Sequence, residues 1–308
     1  MVNLLLLALG VAAAAVGGEL FVRGAVGLAA WARVPAGIIG ATVAAFATSS
    51  PELSVGVQSA MAGTPVIALG DALGSNIINI GCVLGIVLVT GPLVVERRAL
   101  RRELGFAAVA PVLTLLALVD GTLVQLEAAV LLGVFVAWLV LVNNAARKAR
   151  LEGVEELGAG RSWTTLASAG AGLALLVLAG RLIVLAAKGI GADLGLDPFV
   201  VGATLVAVGT STPELATTII SSWRGHLEIG VGTVLGSNVF NNLWIVGVAA
   251  LIHPIHADVG EVLLAVGCCL IALALMIPSR RTPMGRTRGV LLLTVAAGYM
   301  LGTVLIGL

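Results

Sequence analysis

The sequence predicts an all-α integral membrane protein whose ten transmembrane helices form two inverted repeats of five helices each. Three observations support this prediction: an apolar composition, a series of long apolar runs, and a polar motif that occurs twice. Of the 308 residues, 59% are hydrophobic and 11% are charged, and the mean hydropathy is +1.12. This composition is far from that of soluble domains, and runs of about 20 apolar residues match the thickness of a bilayer core. We expect a multi-pass protein of the cell (plasma) membrane, in contact with lipid and with no nucleic acid.

The apolar runs define the helices. They are too long for the strands of an outer-membrane barrel and lack the alternation of such strands. The first run, at 4–16, lacks the basic segment of a secretory signal, so we expect it to be retained as a membrane helix. Cys82, Cys268 and Cys269 all fall inside apolar runs, which gives no sign of a disulfide or a zinc site. The predicted membrane segments are 3–30, 36–61, 66–90, 103–119, 123–142, 163–187, 198–223, 228–252, 259–277 and 289–308.

The basic residues of the loops predict the orientation. Arginine and lysine cluster in the connections after the odd-numbered helices and are almost absent after the even-numbered ones, with Lys188 as the exception. By the positive-inside rule, the basic loops face the cytoplasm and both termini lie outside. A polar linker at 144–162 separates a first five-helix repeat at 1–143 from a second at 163–308. Because five is odd, the second repeat enters the membrane from the opposite side, and such inverted repeats are typical of secondary transporters.

The repeated motif occurs twice, with its copies 162 residues apart. The first copy contains A-T-S-S-P-E-L at 47–53 and L-G-S-N-I-I-N at 73–79. The second contains G-T-S-T-P-E-L at 209–215 and L-G-S-N-V-F-N at 235–241. A duplication of this kind dictates the architecture of a protein, so both copies are expected to build equivalent structures.

Each copy places a carboxylate beside a broken helix. Pro51 and Pro213 have no N–H, so a carbonyl one turn earlier loses its helical partner in each copy. Lipid cannot satisfy such carbonyls, so a broken helix at membrane depth lines a polar cavity or is buried in protein. Glu52 and Glu214 follow the two prolines, and hydroxyl side chains precede them. Carbonyls, hydroxyls and carboxylates together form an oxygen cage that suits hard cations such as Ca2+ and Na+.

Some of the charged residues allow other interpretations. A carboxylate inside a membrane helix is functional by default, but it can also serve as a structural partner for an arginine such as Arg23 or Arg181. Glu19 and Arg23 are four residues apart, and we expect them to form a local ion pair. Asp71 lies one turn before Ser75 on the same helical face. It is either a third carboxylate near the cation path or a solvated residue at the rim of the cavity.

These motifs resemble the alpha repeats of the cation/Ca2+ exchanger superfamily, and most closely those of its prokaryotic Na+/Ca2+ exchangers, over essentially the whole chain. The resemblance implies an antiporter that exchanges Ca2+ for Na+ by alternating access, with four cation sites between helices two, three, seven and eight. Ca2+ and Na+ would bind as substrates, with no cofactor and no obligatory protein partner. By motif position, the implied Ca2+ ligands are Glu52 and Glu214 with the carbonyls of Thr48 and Thr210. The implied flanking Na+ sites use Ser49, Ser75, Ser211, Ser237 and the carbonyls of Ala45 and Ala207, and Asn79 and Asn241 would face the middle position.

The chain also departs from the family pattern. Some relatives, notably K+-dependent ones, carry Asp where Asn241 stands, which argues against K+ dependence. The H+/Ca2+ branch resembles G-N-x-x-E where this chain has G-D-A-L-G and G-T-V-L-G, which favours Na+ as the counter-ion. An H+/Ca2+ antiporter is the main alternative and a K+-dependent Na+/Ca2+ exchanger a lesser one. No H-E-x-x-H, G-x-S-x-G or nucleotide-binding loop supports an enzyme, and a channel would share the cage without obligatory exchange.

The resemblance further implies that helices one and six move across the core to open each side of the membrane in turn. Inverted repeats generally allow this kind of motion. Glycines in these two helices would permit sliding, namely Gly17, Gly18, Gly180 and Gly189.

Overall fold

The computed structural model describes residues 2–32, 36–91, 97–151, 163–194, 197–278 and 284–306. Within these ranges the chain is helical almost throughout, as the sequence predicts. The helices are α1 (Val2–Ala32), α2 (36–61), α3 (Val66–Thr90), α4 (Arg97–Ala117), α5 (Gln125–Leu151), α6 (Trp163–Leu194), α7 (Pro198–Trp223), α8 (Leu227–Ile252), α9 (Val259–Leu275) and α10 (Arg286–Ile306).

Several of these helices have the length and apolar composition of membrane spans. Among the described residues, five segments are long and apolar enough to cross a bilayer. They are Val66–Thr90, Gln125–Ala145, Pro198–Trp223, Leu227–Ile252 and Arg286–Leu305. The structure therefore supports a helical membrane protein, whereas the arrangement of ten spans in two inverted repeats stays a prediction.

Helix ends differ from the predicted spans where polar residues continue a helix. Helix α4 begins at Arg97 rather than at 103, and α5 runs to Leu151 rather than to 142. Arginine, lysine, leucine and alanine are strong helix formers, so a helix continues past the point where its apolar run ends. Hydropathy marks the width of the bilayer and not the end of the helix. The first part of the predicted linker is consequently helical, and 152–162 lies outside the described residues.

Helices α3 and α7, and likewise α2 and α8, pack so closely that glycine is required where their backbones meet. Gly74 of α3 lies against the carbonyl of Ala203, and Gly236 of α8 lies against the carbonyl of Ala41. A Cβ at either glycine would overlap that carbonyl oxygen. Both pairs obey the 162-residue spacing, so the two copies of the motif make equivalent contacts. The remaining helices pack around this core, with α4 and α5 on α8, α10 on α3, and α9 on both α3 and α4.

Helices α1 and α6 pack along each other over much of their length. Their backbones approach closely at Gly24, which lies against Ala169, and Ser168 of α6 donates a hydrogen bond to the carbonyl of Leu20 at 2.8 Å. Gly17 and Gly18 also lie at close contacts of α1, the first with α6 and the second with α7. The surroundings of Gly180 fall outside the described side chains.

The predicted ion pair between Glu19 and Arg23 is confirmed, with 2.7 Å between Arg23 Nε and Glu19 Oε1. No pattern in the sequence indicates that Glu19 has a second partner. Arg224, at the end of α7, donates through Nε to Glu19 Oε2 at 3.0 Å, and its Nη2 contacts Oε1 of the same carboxylate. Glu19 therefore ties α1 to the end of α7.

Two short strands join loops that are distant in sequence. Strand β1 (Thr122–Leu123) pairs antiparallel with β2 (Ile255–His256). The first follows α4 and the second follows α8, so the two loops lie on the same side of the molecule. The orientation predicted from the loop charges also places both loops on one side.

Candidate functional site: a buried oxygen cage

The predicted helix breaks lie just before the two glutamates. Helix α2 is interrupted at Ser49, where φ is −82° and ψ is 12°, and α7 is interrupted at Ser211, where φ is −74° and ψ is 0°. In each helix a proline stands two residues further on and cannot donate a backbone hydrogen bond. The helix resumes immediately, so that each glutamate lies in the first turn of the following segment.

The four helices that carry the motifs also contain turns of π-helix, which no pattern in the sequence predicts. Such turns insert one extra residue per turn and occur frequently at functional sites. Asn79 and Asn241 lie within two of them, so the local backbone sets the direction of both side chains. The π-helical segments are Gly40–Ala44 in α2, Ile78–Leu84 in α3, Gly202–Val206 in α7 and Phe240–Ile245 in α8.

All twelve predicted ligand residues are buried. None of them is more than 1% exposed. Ten of the twelve have polar side chains: four serines, two threonines, two asparagines and two glutamates. Burying polar groups costs free energy unless they are paired. The interior of the four motif helices is therefore a polar compartment shielded from solvent.

Glu214 joins the two copies of the motif. Its Oε1 accepts a hydrogen bond from Ser49 of the first copy at 3.1 Å and another from Ser237 of the second copy at 3.1 Å. Three predicted ligands from α2, α7 and α8 thus meet at one carboxylate. Hydrogen bonds to a carboxylate are charge-assisted and hold it in place.

A second cluster forms around Asp71. Thr210 lies 2.9 Å from Asp71 Oδ1 as a hydroxyl donor, and the Ser75 hydroxyl lies 3.4 Å from the same oxygen and 3.2 Å from Thr210 Oγ1. Asp71 has no exposed surface. The alternative in which Asp71 is solvated at the cavity rim is therefore wrong, because it lies among predicted ligands.

Four asparagines link α3 to α8. Asn79 donates to Asn238 Oδ1 at 3.4 Å, and Asn241 donates to Asn76 Oδ1 at 3.3 Å. The two contacts are equivalent under the 162-residue spacing. Asn76 and Asn238 were not among the predicted ligands, although both stand in the doubled G-S-N motif. Their amide oxygens accept hydrogen bonds from Asn79 and Asn241, the two asparagines that were predicted as ligands, and so orient them.

Several oxygen atoms of the site have no hydrogen-bond partner among the residues that the structure describes. They are both oxygens of Glu52, Oε2 of Glu214, Oδ1 of Asn79 and of Asn241, and the hydroxyl of Ser211. Leaving such an atom buried and unpaired costs about 1–3 kcal/mol, and more if it is charged. Asn76 also has an unpaired amide nitrogen, but oxygen dominates the set.

The charge of the compartment is negative. The buried polar side chains of the described residues include three carboxylates and neither lysine nor arginine, so Glu52 and Glu214 are not paired with an arginine in this part of the chain. The negative charge of Glu52 is repelled by the negative charges of Glu214 and Asp71. Among the described residues, no three carboxylate, imidazole or thiol side chains converge on one metal-sized point. The chemistry fits hard cations held by carboxylates together with hydroxyl, amide and carbonyl oxygens.

Two of the four predicted carbonyl ligands already accept hydrogen bonds within their own helices. The carbonyl of Ala45 accepts the N–H of Ser49 at 3.0 Å, and the carbonyl of Ala207 accepts that of Ser211 at 3.0 Å. A carbonyl oxygen has a second lone pair, so either group can still contact a cation.

Comparison with known proteins identifies the family. The family described as sodium/calcium exchanger protein matches residues 2–143 and 164–305. The chain belongs to the sodium/calcium exchanger family. This family consists of membrane antiporters, and the chain is 33% identical over 292 residues to a putative antiporter, CaxA, of Alkalimonas amylolytica, covering 91% of each chain. It is 27% identical over 301 residues to the sodium/calcium exchanger MaX1 of Methanosarcina acetivorans, covering 82% of this chain and 84% of that one.

A solved structure of the sodium-calcium exchanger NCX_Mj, soaked with Na+ and Sr2+, has the same fold as this family member. The TM-score is 0.80 at 26% identity, and the match covers 97% of this chain and 98% of the other. The predicted resemblance to prokaryotic exchangers is thus confirmed. Both the relatives and the chemistry of the cage support a helical transmembrane antiporter that transports calcium and sodium ions.

Proposed function

We propose that this protein exchanges Ca2+ for Na+ across the plasma membrane by alternating access. Ten membrane spans would form two inverted repeats at 1–143 and 163–308, with both termini outside. The two family matches begin and end 162 residues apart, and the equivalent packing of Gly74 and Gly236 supports the same duplication. The observation that carries the proposal is the pair of buried glutamates, one from each copy, in a compartment with no buried basic side chain among the described residues.

The proposed exchange follows from charge balance in this compartment. Glu52 and Glu214 would together balance one Ca2+, with the carbonyls of Thr48 and Thr210 completing the central site. The four motif serines, the carbonyls of Ala45 and Ala207, and the two asparagines of the middle position would receive Na+ when Ca2+ leaves. Neither oxygen of Glu52 has a hydrogen-bond partner within the described ranges, so Glu52 would turn toward the cation, while Glu214 is held by two serines.

The first prediction is that Glu52→Gln and Glu214→Gln each abolish Ca2+ exchange and leave the protein folded. Each change is isosteric, and each removes one of the two charges that balance Ca2+. Glu228→Gln is the matched control, because Glu228 stands outside the cage at the start of α8 and its side chain is 42% exposed. The measurement is 45Ca2+ uptake into proteoliposomes driven by an outward Na+ gradient, with chromatography and thermal melting to confirm folding.

The same vesicles distinguish the counter-ions. Uptake driven by a Na+ gradient without K+ supports the proposal. Uptake driven by a pH gradient without Na+ would instead identify an H+/Ca2+ antiporter, and an absolute need for K+ would identify a K+-dependent exchanger. Wild-type uptake by either glutamine variant would overturn the assignment of the site.

A further inference from the structure

Asp71 is the side chain that breaks the equivalence of the two halves. The position 162 residues later is Thr233, and its hydroxyl donates to the carbonyl of Ile229 in its own helix at 2.8 Å. Thr233 is as fully buried as Asp71. The second half thus packs with a small neutral residue where the first half places a carboxylate, so close packing does not require Asp71.

The carboxylate of Asp71 lies among residues of the cage. Its Oδ1 is 2.9 Å from the hydroxyl of Thr210 and 3.4 Å from that of Ser75, which belong to opposite halves of the chain. Gly202 allows α7 to approach the backbone of α3 here, because a Cβ at Gly202 would lie 3.1 Å from the nitrogen of Asp71. The closeness of the two helices brings the carboxylate to the hydroxyl of Thr210.

The surroundings of Asp71 point to a cation. The oxygens of Glu52, which have no hydrogen-bond partner among the described residues, are buried nearby. The negative charges of Asp71 and Glu52 repel each other. The described residues contain no buried lysine or arginine to offset this charge. Among the described residues no three carboxylates converge on one metal-sized point, which places Asp71 beside the two glutamates rather than around one ion with them. A position beside the central site, with one carboxylate and two hydroxyls, suits a monovalent hard cation.

We propose that Asp71, with Ser75 and Thr210, forms a charged Na+ position beside the Ca2+ site, so that the transport site carries three negative charges instead of two. This inference rests on the proposed exchange of Na+ for Ca2+. One Ca2+ then leaves the site with one net negative charge, and three Na+ leave it neutral. A site without Asp71 would be neutral with Ca2+ and positive with three Na+. Asp71 therefore moves the voltage dependence of exchange from the Na+ half-cycle to the Ca2+ half-cycle.

The two half-cycles are measured separately in proteoliposomes. Exchange of 45Ca2+ for Ca2+ without Na+ reports the Ca2+ half-cycle, and exchange of 22Na+ for Na+ without Ca2+ reports the other, each at potentials clamped with K+ and valinomycin. In the wild type we expect Ca2+ self-exchange to change more than about 2-fold over 100 mV, below the limit of about 50-fold for one charge crossing the whole field. Na+ self-exchange is expected to be indifferent to voltage.

Asp71→Asn keeps an oxygen acceptor for Thr210 and removes the charge. We expect the voltage dependence to move to Na+ self-exchange and the half-saturating Na+ concentration to rise by about 10-fold. Thr233→Asn, the same residue introduced at the equivalent position, should behave like the wild type. A purely structural role for Asp71 predicts no change in either voltage or Na+ dependence.

The wild-type measurement decides the matter even if Asp71→Asn does not fold. Voltage-dependent Na+ self-exchange together with voltage-independent Ca2+ self-exchange in the wild type would overturn the proposal. This result would leave Na+/Ca2+ exchange itself intact. A wild type that takes up no Ca2+ in response to a Na+ gradient would instead overturn the proposed function.

Discussion

At the scale of single residues, the two glutamates occupy equivalent positions but different environments. Glu214 accepts hydrogen bonds from Ser49 and Ser237, whereas neither oxygen of Glu52 is hydrogen-bonded to any residue that the structure describes. A carboxylate held by donors is preorganised, and one without donors must be neutralised by something that enters the site. The asymmetry suggests that Glu214 anchors the Ca2+ site and that Glu52 closes onto the ion.

We therefore expect Ser49→Ala or Ser237→Ala to weaken Ca2+ binding. A hydrogen bond to a charged group contributes about 1.5–3 kcal/mol, so losing one should raise the half-saturating Ca2+ concentration on the order of 10-fold. The measurement is the Ca2+ dependence of Na+-driven uptake. Ser54→Ala is the control, because Ser54 of α2 accepts a hydrogen bond from Gln58 outside the cage. An unchanged Ca2+ dependence in both serine variants would mean that Glu214 needs no anchoring.

At the scale of helices, the cage depends on backbones that approach within contact distance. Helix α3 meets α7 at Gly74, and α8 meets α2 at Gly236, each against a carbonyl that cannot move without its helix. Small residues at such crossings are the usual means by which membrane helices pack closely. The motif glycines thus hold the predicted ligands of the two halves near each other.

Gly74→Ala and Gly236→Ala should each force a pair of helices apart. Overpacking of this kind typically costs about 1–3 kcal/mol, so we expect a lower melting temperature in detergent and a loss of exchange. Gly133→Ala in α5 and Gly267→Ala in α9 are the controls, because a Cβ at either position meets nothing within 4 Å. If Gly74→Ala and Gly236→Ala have the melting temperature and transport rate of these controls, the close helix crossings are not needed to hold the cage together.

At the scale of the whole molecule, the proposed alternating access would move α1 and α6 against the core. The carboxylate of Glu19 bridges Arg23 of its own helix and Arg224 at the end of α7. Such partly exposed ion pairs contribute about 0–1 kcal/mol, so the bridge can break in each cycle without a large barrier. It marks a contact that sliding of α1 would separate.

A disulfide between Glu19→Cys and Arg224→Cys should therefore stop exchange, and a reducing agent should restore it. The background is a variant in which Cys82, Cys268 and Cys269 are replaced. A disulfide between Thr122→Cys and His256→Cys is the control, because these residues pair across the two short strands and are not expected to separate. Full turnover with the α1 disulfide closed would exclude movement of α1 relative to α7.

The sequence by itself determined the class of protein, most helices and the elements of the cage. Long apolar runs reflect the width of the bilayer, and the doubled motif places Glu52 and Glu214 after helix-breaking prolines, so both features can be read locally. The tertiary structure decided how the two halves differ. Asp71 contacts Thr210, which is 139 positions away in the sequence, instead of solvent. Glu19 contacts Arg224, which is 205 positions away. Such contacts arise from the packing of whole helices, so no local pattern in the sequence records them.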